Sequence, residues 1–171
     1  MITITSDKIN TFSQISYNEF LGTINFHQLS CSCGLTGSLI RHGTYRRSIK
    51  TPDGILRICI LRLKCKHCGR THAIFPKLIV PYSQMLLTDH ISIIKAYIAK
   101  TPFEIIMVTN EYIDESNIRY IIGQYLRHWK ERIAAFVFSI KNDIRTLSEK
   151  CLCTFKKQLM QIKCTPNILF C

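Results

Sequence analysis

Two cysteine pairs constrain this chain more than anything else in it. Cys31-Ser32-Cys33 is followed by Gly34 and Cys65-Lys66-His67-Cys68 by Gly69, with 31 residues between Cys33 and Cys65. Two close thiol pairs are the spacing of a four-thiolate zinc site, in which Zn2+ draws soft or borderline ligands into a tetrahedron. A glycine after each pair lets the backbone turn tightly around the metal. The second pair has the common C-x2-C spacing and the first is one residue shorter. It can still chelate, because residues two apart in an extended chain point to the same side with Cα atoms about 6.6 Å apart. The expected ligands of Zn2+ are therefore Cys31, Cys33, Cys65 and Cys68. His27, His67 and His72 can each stand in for a cysteine, His27 foremost because the first pair is the irregular one. The plain alternative is four buried or free thiols.

Composition narrows the class. At 47% hydrophobic residues in 171, the chain can bury a core and is not a disordered segment. Its longest apolar run, Ile133 to Phe138, has six residues, far short of the roughly 18 that a membrane span needs. The first ten residues show no basic stretch followed by an apolar one, so no secretory signal is expected. Nine cysteines without such a signal point to a reducing, cytoplasmic setting and to metal binding, not to disulfides. The net charge is +12 and it is concentrated: from Cys31 to Lys77 there are ten Lys and Arg against Asp53 alone. Such a field attracts polyanions, nucleic acid first.

In chain order, residues 1–30 form an N-terminal segment expected to pack on a small sheet, through Phe12, Ile15, Phe20, Leu21, Ile24 and Phe26. Residues 31–81 read as a zinc ribbon. Ser38 to Ile49 is β-compatible, Thr51-Pro52-Asp53-Gly54 is a turn, and Ile55 to Lys64 returns the second cysteine pair to the first. Thr71 to Phe75 adds a third strand. Residues 82–150 read as helical. Thr88 is an expected N-cap; Thr101-Pro102-Phe103-Glu104 reads as a capping box; Asn110 is an expected left-handed stop. From Asp114 or Ser116 a single long helix is expected. Its stripe is Ile118, Ile122, Tyr125, Trp129, Ile133, Phe136, Ile140, Ile144 and Leu147, buried in a core or in a homodimer seam. In the tail, 151–171, the spacings of Cys151, Cys153, Cys164 and Cys171 match no zinc pattern. The fold class is thus α+β: a small zinc-ribbon sheet, then an all-α, helix-turn-helix-like region with one long C-terminal helix.

The segment Arg41-His42-Gly43-Thr44-Tyr45-Arg46-Arg47, followed by Leu61-Arg62-Leu63-Lys64-Cys65-Lys66-His67-Cys68-Gly69-Arg70-Thr71, resembles the zinc-ribbon head of bacterial insertion-sequence transposases. It also resembles small uncharacterised bacterial families that share that head. The resemblance implies DNA as the partner and a helix-turn-helix after the ribbon. The contacts expected on the ribbon are Arg41, Tyr45, Arg46, Arg47, Lys50 and Arg70, with Arg46, Arg47 and Lys50 projected together beside the hairpin turn. Ser116, Asn117 and Arg119 at the start of the long helix have the chemistry to reach base edges. Strand transfer needs three carboxylates holding two metal ions, and after Phe138 only Asp143 and Glu149 remain. No phosphate-binding glycine loop or nucleophile elbow is present either. The expectation is a non-enzyme with no small-molecule substrate. The rival is a zinc-stapled protein-interaction module dimerising through the long helix; a decayed gene fragment is the third reading.

Overall fold

The computed structural model describes residues 1–4, 12–136, 138–140 and 143–162. Among these lie β1 (Ile2–Ile4), α1 (Gln14–Gly22), β2 (Leu39–Thr51), β3 (Gly54–Cys65), β4 (Thr71–Pro76), α2 (Leu87–Ile98), α3 (Phe103–Thr109), α4 (Glu115–His128), α5 (Lys130–Ala135) and α6 (Ile144–Phe155), with a 3-10 turn at Phe26–Gln28. The chain divides into two compact units. The first holds Met1–Ile49 and Leu56–Lys77; the second holds Lys50–Ile55, the tip of the β2–β3 hairpin, and the chain from Leu78 onward. No helix among the described residues is long and apolar enough to cross a membrane.

The first unit is built on a sheet of order β1-β4-β3-β2. β1 runs parallel to β4 with Ile2 opposite Ile74, and β4 runs antiparallel to β3 with Leu63 opposite His72. Side chains of both strand parities are buried in β3, where Ile60 and Leu61 are each shielded. α1 starts on a reciprocal cap: Ser13 Oγ accepts from Ser16 N, and Ser13 N donates to Ser16 Oγ. It buries Tyr17 and Phe20, while Ile15 stays exposed. α1 also completes the sheet. The N–H groups of Leu61 and Cys59 lie on one side of β3 by alternation. They donate to Tyr17 Oη at 3.0 Å and to Gln14 Oε1 at 2.7 Å, and Tyr17 Oη in turn donates to the Ile74 carbonyl at 3.0 Å. One hydroxyl thus bridges β3 and β4 just beyond the last paired residues, Arg62 and Ala73. Burial pushes the Tyr17 phenol up to about 12, against the pull of the Leu61 N–H, so it remains a hydroxyl that donates and accepts at once. Tyr17→Phe keeps the ring and orphans two buried backbone groups. Each is worth about 1–3 kcal/mol, and urea unfolding of the variant is expected to show the loss.

In the second unit a single core gathers Val80, Leu87, Ile91 and Ile94 with Ile118, Ile121, Trp129, Ile133 and Leu147. The expected long helix does not form. The apolar stripe is shared among α4, the Trp129 junction, α5, the loop residue Ile140 and α6. The indole of Trp129 is fully buried and meets the Phe155 ring edge-on at 5.8 Å between centroids. A helix running from 114 to 147 would be about 50 Å long and leave its stripe bare; folding back buries the stripe within one chain. Phe136 is the exception, 53% exposed where burial was expected. Caps also differ from expectation. α2 is capped at Leu86, whose N–H donates to Asp89 Oδ2 at 3.0 Å, so Thr88 lies inside the helix. α3 begins after Pro102 without a side-chain cap. Asn110 ends α3 at φ −142, not left-handed, with Nδ2 donating to the Ile106 carbonyl at 3.0 Å. Ahead of α2, Ile79 pairs with Leu86 across a loop whose turn closes from Ser83 N to the Val80 carbonyl at 3.2 Å.

Candidate metal centre

The two cysteine pairs reach one point from two tight turns. In the first, Cys31 N donates to the Leu35 carbonyl and Gly34 N to the Cys31 carbonyl, both at 2.9 Å. In the second, Cys65 N donates to the Arg70 carbonyl at 2.9 Å and Gly69 N to the Cys65 carbonyl at 3.0 Å. Gly34 and Gly69 sit at φ +91 and +71, a backbone that a side chain rarely takes. A link from Lys66 N to the Ser38 carbonyl at 2.9 Å ties the second turn to the start of β2.

The four Sγ atoms of Cys31, Cys33, Cys65 and Cys68 lie within 4.8 Å of one another. Cys31 is 3.5 Å from Cys68, and Cys33 is 3.9 Å from Cys65. These are far beyond a disulfide bond of about 2.05 Å, and all four are free thiols. They match a tetrahedron of metal–thiolate bonds of about 2.3 Å, whose edges are about 3.8 Å. The cluster can hold a metal ion. A cation would suit its electrostatics. The Ser38 hydroxyl, 3.2 Å away, and then the Cys68 N–H draw the Cys65 thiol down to about 6. At Cys68 the Arg70 N–H favours the thiolate but is outweighed by burial and the neighbouring sulfurs, and the thiol is driven up to about 11. The first negative sulfur opposes the others, and a bound cation removes that opposition.

Of the three histidines, the one at the cluster is His72, not His27. His27 and His67 are exposed. His72 is buried with Nε2 3.2 Å from Cys31 Sγ. Burial, then the N-terminal ammonium and Arg70, hold its pKa below the usual value. A neutral ring with its hydrogen on Nε2 donates to the Cys31 sulfur, the arrangement of an outer partner to a metal-bound thiolate. Ser38 was not foreseen; its position, one residue before β2 and across from Cys65, is visible only once the hairpin closes.

Residues 30–121 match the family described as a domain of unknown function, DUF6431. The match spans more than half of the chain and includes all four cysteines, Ser38 and His72. The chain belongs to the DUF6431 family. No curated protein and no solved structure matches the chain significantly.

The basic residues of this DUF6431 chain fall into two groups. Arg41, Arg46, Arg57, Lys64, Lys66 and Arg70 are exposed on the first unit. Arg41 also lies 5.2 Å over the Phe26 ring, and Arg70 reaches Ser32 Oγ at 3.3 Å. Arg47 departs from expectation: strand alternation turns it away from Arg46, and its guanidinium packs 5.1 Å over Phe75. Burial lowers its pKa, and Tyr45 is hydrogen-bonded to it, so this pair is engaged in the fold.

Lys50 belongs to the second unit, where Nζ donates to Asp114 Oδ2 at 2.9 Å and Asn117 Oδ1 at 2.8 Å. Asp114 caps α4 through Asn117 N at 2.8 Å and also accepts from Ser116. Ser116, Lys50 and the Asn117 N–H hold the Asp114 carboxyl down to about 2. Arg119 pairs with Glu115 through Nε at 2.7 Å and lies 5.5 Å over Phe103. Of the three residues placed at the helix start to read bases, Ser116 and Arg119 are thus occupied locally. In the tail, Cys151 is buried, which pushes its thiol up to about 12, and Cys153 is exposed. Cys164 and Cys171 lie outside the described residues.

Proposed function

We propose that this chain is a zinc-stapled DNA-binding module. The observation that carries the reading is the thiol cluster at the end of a sheet whose exposed bases are Arg41, Arg46, Arg57, Lys64, Lys66 and Arg70, in a segment where Asp53 is the only acid. Four thiolates within 4.8 Å of one another suit Zn2+, which has no redox chemistry and accepts a tetrahedron without strain. When bound, the ion fixes two loops and orders the strands that display the basic side chains. Arginine and lysine on such a frame neutralise phosphates, release counterions and supply affinity without sequence information. The resemblance to transposase heads, with α3 and α4 in the place of a helix-turn-helix, points to the same partner. In this reading the ribbon is the affinity element.

The test is binding of purified protein to duplex DNA across a salt series. Arg46→Ala is expected to weaken binding to all duplexes alike and to lower the salt slope by about one. Wild-type binding by the variant at low salt would remove the ribbon as the DNA surface. A second reading, a protein-interaction module, is favoured by Ile105 and Val108 of α3, which are 53% and 78% exposed. A partner held there would be captured with little salt dependence.

A further inference from the structure

A second site lies wholly in the second unit, between the loop before α2 and the first turns of α4. Tyr82, Gln84 and Met85 from the loop and Asn117, Tyr120 and Ile121 from α4 line a cavity of about 190 Å³. Pockets for drug-sized ligands begin at roughly 300 Å³, so this one has room for a single ring system. Two phenol rings stand at it, and both are largely exposed, Tyr82 at 56% and Tyr120 at 48%. Tyr82 is held at φ +67, a left-handed backbone uncommon for a bulky residue and of the kind that gathers at ligand sites.

The polar lining has a fixed sense. Lys50 Nζ donates to Asn117 Oδ1 at 2.8 Å. An ammonium has no acceptor, so this contact sets the amide with its oxygen toward Lys50 and leaves Nδ2 as a donor. Gln84, exposed at the rim, brings a second amide. Lys50 is matched by Asp114 at 2.9 Å, and the lining itself holds no Lys or Arg among the described residues, so the chemistry offered is flat rings, amides and the Ser83 hydroxyl, not a phosphate clamp. Aromatic side chains stack on bases of any sequence, and Asn or Gln amides suit the donor and acceptor pair on adenine.

We propose that this cavity takes one unpaired DNA base, adenine preferred, stacked against Tyr82 and Tyr120 with its edge hydrogen-bonded by Asn117 Nδ2 and Gln84. The proposal rests on the DNA reading above and gives Asn117 a role that Ser116 and Arg119 do not share.

The experiment follows the side-chain amide signals of Asn117 and Gln84 in nitrogen-15 spectra of the full chain. Deoxyadenosine monophosphate is expected to shift both, deoxyribose phosphate neither. Tyr82→Gly, which takes φ +67 without strain, is expected to lose the shift while keeping the buried Trp129 emission. In parallel, a single-stranded deoxyadenosine oligonucleotide is expected to bind Tyr82→Gly about tenfold more weakly than wild type, and its abasic copy equally to both. Amides unmoved by millimolar nucleotide, or moved equally by the sugar phosphate, overturn the cavity. So does salt-dependent oligonucleotide binding that is the same in wild type and variant, an outcome that leaves the ribbon reading standing. Nucleotide shifts without binding of any oligonucleotide or duplex overturn DNA as the occupant of the cavity together with the ribbon reading.

Discussion

Stripping the metal with a chelator is expected to unfold the ribbon while Trp129 keeps a buried emission. In small zinc modules the free energy of metal binding is folding energy, roughly 10–16 kcal/mol at neutral pH. The first unit is expected to depend on it in an identifiable way. Its two turns meet at the four sulfurs, which lie within 4.8 Å of one another, with a contact from Arg70 to Ser32 Oγ at 3.3 Å beside them, and in the absence of a cation the neighbouring thiolates oppose one another. The single tryptophan lies in the second unit, so its spectrum reports that unit while far-ultraviolet dichroism reports loss of strand. Elemental analysis should find one zinc per chain, and Cys65→Ser with Cys68→Ser should abolish it. A double variant that keeps both metal and fold would end the reading. His72→Ala should weaken metal retention without abolishing it, because only a hydrogen bond to Cys31 is lost.

Trp129→Ala is expected to cost about 3–5 kcal/mol, the range for removing a large aromatic from a core. The side chain is fully buried, stacks edge-on against Phe155 and has Arg132 over its face at 5.8 Å. Its Nε1 has no hydrogen-bond partner among the described residues, so the loss is one of packing. Trp129→Phe should therefore cost less, since a phenyl ring retains part of the edge contact and orphans no polar group. Denaturant titration of the two variants gives both numbers. Equal losses would mean that the indole position, not its volume, matters.

How far the sequence discloses this fold depends on whether a signal is local. The cysteine pairs, the Pro52-Asp53-Gly54 turn and the strands on either side of it are local and legible. The stripe from Ile118 to Leu147 is legible as a buried face but not as three helices. Periodicity says which side chains face a core, and nothing in it says that the chain must stay straight past Trp129. β1 and α1 were not legible as elements, because what stabilises them is remote: Ile2 pairs with Ile74, and Tyr17 bonds to Leu61 and Ile74. The choice of His27 over His72 failed for the same reason. His27 is near Cys31 in sequence, whereas His72 reaches it through the pairing of β4 with β3. Arg47 misled because charge alone does not distinguish a strand's outward face from its packed one.

The three residues of β1 have a consequence out of proportion to their length. An unpaired strand edge is a template on which other chains can add, and β4, with Ile74 and Phe75 buried, is an apolar strand with an edge to offer. Ile2, Thr3 and Ile4 occupy that edge in register with Ile74, Phe75 and Pro76. The parallel pairing ends at Pro76, which has no N–H to continue a ladder. β1 thus takes up the hydrogen-bonding edge that Ile74, Phe75 and Pro76 would otherwise present, and the short outer strand it leaves at the sheet edge is only three residues long.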